Sequence, residues 1–482
     1  MNLLFVASEC APFVKTGGLA DVIGAVPKSL AGLGVQVKIL LPAYPDLRAL
    51  IQRGHSVLHL PDLFGGSADV ISVQAEGLDL LLLDAPHLFD RPGNIYLDAS
   101  GADWADNYLR FGALSYVGSV IALDGLGAWR PDLVNAHDWQ AGLVAAYLRQ
   151  SGRRAPPVVL TIHNIAFQGL FGAEVRHELG LVDALFTPEG VEYFGMVSFL
   201  KAGIALSDKI TTVSPTYAKE VLSHAFGMGL EGILQARNAD LVGILNGIDT
   251  EVWNPETDAA LAQTYGVRSL KRKSVNKAAV EARFGLSSHA PGPLFCVISR
   301  LTTQKGLDLL LEAIPALVAQ GAKLAVLGSG DKGMERAFVT ASRRFEGAVG
   351  VIIGYDEALS HLLQGGSDAI LIPSRFEPCG LTQLYGLRYG TVPVVSRTGG
   401  LADTVIDANA AAVSAGCATG LQFSPVTLAG LEEAIARTCT LFRQQKVWGA
   451  MMRRGMVHPV GWDRSARAYL DVFHASLQQA DH

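Results

Sequence analysis

Short apolar runs recur along the chain and set its expected architecture. One series falls at residues 3–7, 35–41, 78–83, 133–135, 158–162, 209–213 and 241–245. A second falls at 294–299, 323–327, 349–353, 369–373 and 392–395. Runs this short and continuously apolar mark strands buried on both faces, as in parallel sheets. Segments with helical apolar spacing separate them, at 108–123, at 307–319, and through Leu381, Leu384, Tyr385 and Leu387. Strand–helix alternation predicts an α/β protein of two doubly wound, Rossmann-like halves. The alternation lapses after Trp253-Asn254-Pro255 and resumes at 294. The expected domains are therefore 1–245 and 246–458, with 459–482 as a closing helical segment, apolar at Ala466, Tyr469, Leu470 and Phe473. The run Leu270-Lys271-Arg272-Lys273 reads as a solvated helix face.

The residues just past each strand carry the chemistry, because open α/β sheets bind ligands beyond the carboxyl ends of their strands. In the first half these ends deliver His137-Asp138-Trp139-Gln140, His163-Asn164 and Ser214-Pro215-Thr216. In the second they deliver Arg300 with Lys305-Gly306, Gly354-Tyr355 and Ser374-Arg375-Phe376-Glu377-Pro378-Cys379-Gly380-Leu381-Thr382. The last stretch opens onto a helix, so amides near Gly380, Leu381 and Thr382 are unpaired helix-start donors suited to a phosphate. A carboxylate beside a phosphate is repelled by it. Glu377 therefore suits sugar hydroxyls or a developing positive charge. Lys15 beside Gly17 and Gly18 offers a cation where backbone can approach a diphosphate. The hexapeptide Thr16-Gly17-Gly18-Leu19-Ala20-Asp21 recurs as Thr398-Gly399-Gly400-Leu401-Ala402-Asp403. The repeat suggests that each half carries a glycine loop facing a shared cleft.

Composition narrows the function classes. The 482 residues are 49% apolar and 17% charged, with a net charge of −6 and a pI near 6.1. That balance gives no reason to expect nucleic acid or an anionic membrane. Five scattered cysteines lack metal-ligand spacing and fit a reduced, cytoplasmic protein. The first residues read as a strand rather than a signal peptide, and no apolar run approaches transmembrane length.

Taken together, Lys15–Asp21, His163-Asn164, Asn246-Gly247-Ile248-Asp249, Arg300 with Lys305-Gly306, and Ser374 to Gln383 resemble the bacterial glycogen synthases. That family of retaining GT-B glycosyltransferases also contains plant starch synthases, and the resemblance covers almost the whole chain. It implies two Rossmann-like domains facing a central cleft and a last helix that returns to the first domain. It also implies glucosyl transfer from ADP-glucose to the non-reducing end of an α-1,4-glucan such as glycogen. No metal or cofactor is implied. By resemblance the catalytic residues are Glu377, His163, Arg300 and Lys305. The ADP-glucose-binding residues are Lys15, Gly18, Asp21, Asp138, Asn164, Asn246, Tyr355, Cys379, Gly380, Leu381 and Thr382. Thr303 departs from the family, many of whose members carry Trp there. Asp21 and Asp138 are the first-half carboxylates that a double displacement would draw on. A front-face route, with the leaving phosphate accepting the acceptor's proton, needs no nucleophile and is the expected mechanism. The substrates are the expected partners, with no nucleic acid or membrane, and a homo-oligomer is left open.

Overall fold

The computed structural model describes residues 1–480. They form two compact units, Met1–Asn246 with the segment from Trp462 onward, and Gly247–Gly461.

The first unit is built on a nine-stranded sheet. Its strands are β1 (Asn2–Val6), β2 (Gln36–Pro42), β3 (His55–Leu60), β4 (Ala68–Ala75), β5 (Leu78–Asp84), β6 (Leu133–His137) and β7 (Val158–Ile162). A separate small sheet holds β8 (Leu170–Gly172), β9 (Glu192–Tyr193) and β10 (Met196–Ser198). The main sheet resumes with β11 (Lys209–Thr212) and β12 (Leu241–Gly243). Its order is β12-β11-β7-β6-β1-β2-β5-β4-β3. Every pairing is parallel except the two that β4 makes with β3 and β5. All five residues of β6 and of β7 are buried, which is why their sequences lack the alternation of a half-exposed strand. Phe5 of β1 packs edge-on against Phe473 of the last helix, Asp463–Ala480, with centroids 6.3 Å apart.

The second unit has one six-stranded, fully parallel sheet. Its strands are β13 (Leu294–Ile298), β14 (Lys323–Gly328), β15 (Val349–Ile353), β16 (Ala369–Ile372), β17 (Val392–Ser396) and β18 (Leu421–Phe423). The order β15-β14-β13-β16-β17-β18 is the 3-2-1-4-5-6 order of a dinucleotide-binding sheet. Phe295, Leu310, Ile314, Leu324 and Phe338 are fully buried on one face. Truncating such a ring as Phe295 to Ala is expected to cost about 3–5 kcal/mol.

The segment entering this unit is held by an aromatic stack. Trp253 lies between His361, at 3.8 Å, and Tyr385, at 3.6 Å. Asp258 Oδ2 receives the Tyr389 hydroxyl at 2.5 Å and lies 2.7 Å from His361 Nδ1. These contacts tie residues after Gly247 to the helix Thr382–Tyr389.

One expectation is corrected. Lys273 is not on a solvated face: it is buried, and its Nζ donates to the carbonyls of Gln364 and Gly365 at 2.9 Å and to Thr391 Oγ1 at 2.7 Å. The adjacent Lys271 and Arg272, both exposed, gave no sign of this. The hairpin β3–β4 and the small sheet were not foreseen. β3 is partly exposed throughout and β8 to β10 span only two or three residues, too few for a pattern.

Candidate active site

In the second unit the strand order reverses between β13 and β16, and the sequence-predicted residues flank that gap. Arg300 follows β13 and Glu377 follows β16. Arg300 is exposed and makes no carboxylate pair among the described residues. Lys305 Nζ instead lies 2.5 Å from Glu377 Oε2, and the Ser374 hydroxyl donates to the same oxygen at 2.9 Å. Glu377 is thus a buried carboxylate held in place by a cation and a hydroxyl. A small cavity of about 30 Å³ is lined by Ser299, Lys305, Ser374, Glu377 and Thr382.

Beyond Glu377 the chain turns at Gly380, whose φ of +72° favours glycine. The helix Thr382–Tyr389 then begins with Leu381 as its cap and no side-chain hydrogen bond. Among the described residues none accepts the amides of Gly380, Leu381 or Thr382. Three open donors beside a cation form an anion-binding geometry.

A strap unforeseen in the sequence fixes this arrangement. Arg375 makes a two-pronged pair with Asp308, at 2.6 and 2.7 Å, and donates to the Thr303 carbonyl at 2.7 Å. The Arg375 amide donates to the Gln304 carbonyl at 2.9 Å. Hydrogen bonds from Arg375 also hold the Asp308 carboxyl below its usual range. The loop carrying Arg300 and Lys305 is thereby bound to the loop carrying Glu377. Tyr355, after β15, is 76% exposed, so most of its ring is accessible to a planar ligand.

Cys379, beside Glu377, is buried; Cys417 is the exposed cysteine. The backbone of Gly400 packs against Cys379 so closely that a Cβ there would meet its carbonyl oxygen at 2.3 Å. A residue without a side chain is needed at position 400 for this packing.

In the first unit the order reverses between β1 and β6. Lys15 Nζ pairs with Asp21 Oδ1 at 2.7 Å. The helix Gly18–Ala31 begins here, and Gly18's amide has no acceptor among the described residues. The preceding donors are already used. Glu9, buried just past β1, accepts from the Thr16 amide at 2.5 Å, the Thr16 hydroxyl at 2.6 Å and the Gly17 amide at 3.1 Å. The Tyr96 hydroxyl adds a fourth bond at 2.6 Å. The sequence reading missed Glu9 and Tyr96; an acid three residues past β1 was the available signal for the first.

Asp138 follows β6 with φ +53°, a conformation rare for a non-glycine residue. Its Oδ1 accepts from the His163 amide at 2.6 Å and from the Asn164 amide at 3.4 Å. Burial pushes its carboxyl up to about 7, against the opposing pull of those two amides. Asn164 Oδ1 accepts from the Ala166 amide at 3.0 Å, so one side of its amide shapes the turn. His163 Nε2 lies 3.0 Å from His137 Nδ1. Burial lowers the His163 imidazole to about 3, so it is neutral at physiological pH. Asn246 is buried at the end of the unit, and its Oδ1 has no partner among the described residues.

The comparisons with known proteins give this chemistry a family. Residues 2–236 match the starch synthase catalytic domain, and residues 281–441 match the glycosyl transferases group 1. A glycogen synthase of Roseobacter denitrificans is 66% identical over 477 residues, covering 99% of this chain and 100% of that one. One of Mesorhizobium japonicum is 52% identical, covering 99% of each chain. The chain belongs to the glycogen synthase family. It is a glycosyltransferase of glycogen biosynthesis. The catalytic domain of starch synthase IV from Arabidopsis thaliana, solved with ADP and acarbose, matches with a TM-score of 0.86 and 32% identity, covering 99% of each chain. A sucrose-phosphate synthase of Thermosynechococcus elongatus, at 17% identity and TM-score 0.60, shares the fold. Within this family the two Rossmann-like sheets are the two domains of the GT-B fold. Among the described residues no helix is long and apolar enough to cross a membrane, and no group of three or more His, Cys, Asp or Glu could hold a metal.

Proposed function

We propose that the protein transfers glucose from ADP-glucose to the 4-hydroxyl at the non-reducing end of an α-1,4-glucan, with retention, in the cytoplasm. The observation that carries this reading is the group at the β13–β16 gap. There an uncommitted Arg300, a Lys305–Glu377 pair and three open amides meet the needs of a sugar diphosphate together. Arg300 and the amides of Gly380, Leu381 and Thr382 bind diphosphate oxygens. Lys305 shares its charge between Glu377 and the phosphate. Glu377 grips the glucose hydroxyls and stabilises positive charge developing at the anomeric carbon. Tyr355 stacks on the adenine.

In the first unit Lys15 and the Gly18 amide serve the diphosphate, with Asp21 orienting Lys15. His163, Asn164, Asp138 and Asn246 contact sugar. The C1–phosphate bond breaks as the C1–O4 bond forms on the same face, and the acceptor's proton passes to the leaving phosphate. Both first-unit carboxylates are engaged, Asp21 by Lys15 and Asp138 by two amides, which supports a route without a protein nucleophile.

Transfer of labelled glucose to glycogen, with ADP-glucose and UDP-glucose in competition, tests the proposal. Incorporation that ADP-glucose dominates is expected. Equal or preferred use of UDP-glucose would overturn the donor assignment, and no incorporation from either would overturn the reaction.

A further inference from the structure

The motif that closes β6 contributes more than Asp138. His137, the last residue of that strand, is fully buried, with its ring 5.2 Å from that of Phe5. Its Nδ1 lies 3.0 Å from His163 Nε2. Its other nitrogen, Nε2, is buried and has no hydrogen-bond partner among the described residues. Since His137 occupies Nε2 of His163, Nδ1 is the nitrogen through which His163 can meet a ligand.

Burial holds both rings neutral: His163 is lowered to about 3, and His137 lies well below the ordinary imidazole value, with His163 adding to the effect. One proton therefore lies between them, and two arrangements are available. If His163 donates from Nε2, His137 accepts at Nδ1 and must carry its own proton on Nε2. That proton would be a buried N–H with nothing to receive it. If His137 donates from Nδ1, its Nε2 is a bare lone pair, and His163 carries its proton on Nδ1. Orphaned buried N–H groups are the rarer defect in folded proteins, and under-satisfied acceptors are somewhat commoner.

We infer that His137 is a positioning residue that fixes His163 as its Nδ1–H tautomer, so that His163 presents a hydrogen-bond donor, not a base, to a substrate hydroxyl. The tautomer is a property of the protein alone. Its catalytic use rests on the reading of His163 as a sugar contact. The arrangement also assigns a purpose to the strained turn at Asp138. By holding the His163 amide at 2.6 Å, Asp138 fixes the backbone from which the ring projects, while His137 fixes the ring's proton.

The test uses the full-length protein labelled with ¹⁵N at its twelve histidines, with the His163 signals assigned by their loss in His163→Ala. A pyrrole-type Nδ1 and a pyridine-type Nε2 are expected for His163. The reverse pattern overturns the inference. His137→Leu removes the donor while keeping apolar volume. It is expected to leave His163 in mixed tautomers and to lower kcat by roughly tenfold, the worth of one misdirected hydrogen bond, with ADP affinity unchanged. His137→Asn retains an N–H near the former Nδ1 and is expected to keep the single tautomer and most of kcat. Should the leucine variant fail to fold, the wild-type and asparagine spectra still decide. An unchanged tautomer and kcat in His137→Leu overturns the inference. The predicted tautomer together with full turnover in His163→Ala would instead remove His163 as a substrate contact, and with it the catalytic half of the inference.

Discussion

The same six residues, Thr-Gly-Gly-Leu-Ala-Asp, occur in both units and do different work. In the first unit a Cβ added at Gly17 or Gly18 would meet nothing within 4 Å. Both glycines are exposed, Glu9 holds the Thr16 and Gly17 amides, and the Gly18 amide is open. In the second unit the loop is buried under the Glu377 turn. Gly399 has φ +43°, and a Cβ there would lie 1.9 Å from the Glu377 carbonyl oxygen. The Gly400 amide donates to the carbonyls of Glu377 and Pro378, at 3.3 and 3.1 Å. One copy is exposed with open space around it, and the other is packed as scaffold beneath the Glu377 turn. Identical local sequence does not fix the role; the neighbour pressed against the glycines does.

If the second copy is scaffold, the chemistry above it must fail when Glu377 alone changes. Glu377→Gln is expected to lose about 10²-fold or more in kcat while the protein folds and binds ADP normally. Steady-state kinetics with ADP titration checks this, and near-normal turnover would reassign the role.

The glycines then separate the two copies by stability. Gly399→Ala forces backbone apart under a positive φ and is expected to cost at least about 1–3 kcal/mol. Gly17→Ala, in extended backbone with open space, is expected to stay within about 0.5 kcal/mol of wild type. Denaturant midpoints for the pair measure the contrast. Equal losses would mean the two loops are equally packed.

Glu9→Ala strands the Thr16 and Gly17 amides and should loosen the first copy without touching the second. The expected cost is roughly 1–3 kcal/mol, read as a raised KM for ADP-glucose with kcat less affected. A change confined to kcat would contradict a loop-ordering role.

The smallest effect is one of pH. Asp138 keeps its proton in the folded protein up to about 7, whereas an unfolded aspartate loses it near 4. Between those values the folded state holds more protons, so this group's contribution to stability falls as pH rises and levels off above about 7. Asp138→Asn is expected to flatten that slope in urea unfolding measured across the range; an unchanged slope would place the titration elsewhere.

The strands and their carboxyl-end residues were legible because buried parallel strands leave continuous apolar runs, as at 158–162 and 349–353. Glu377, Lys305 and Arg300 came from the same logic joined to a family resemblance. What local sequence did not carry was environment. The repeat at Thr398 looked like a second ligand loop, and only the contact of Gly399 with Glu377 shows it as packing. The burial of Cys379 against Gly400 is likewise announced by nothing in its neighbours. Glu9, Arg375 and His137 act across gaps of several to dozens of residues, through hydrogen bonds that no period along the chain encodes.

Amide hydrogen exchange with and without ADP tests the division of labour most directly. The account predicts that residues 18–21 exchange readily in the free protein and gain protection with ADP, while 399–403 are protected throughout and barely change. Strong ADP-dependent protection at 399–403 with none at 18–21 would contradict it.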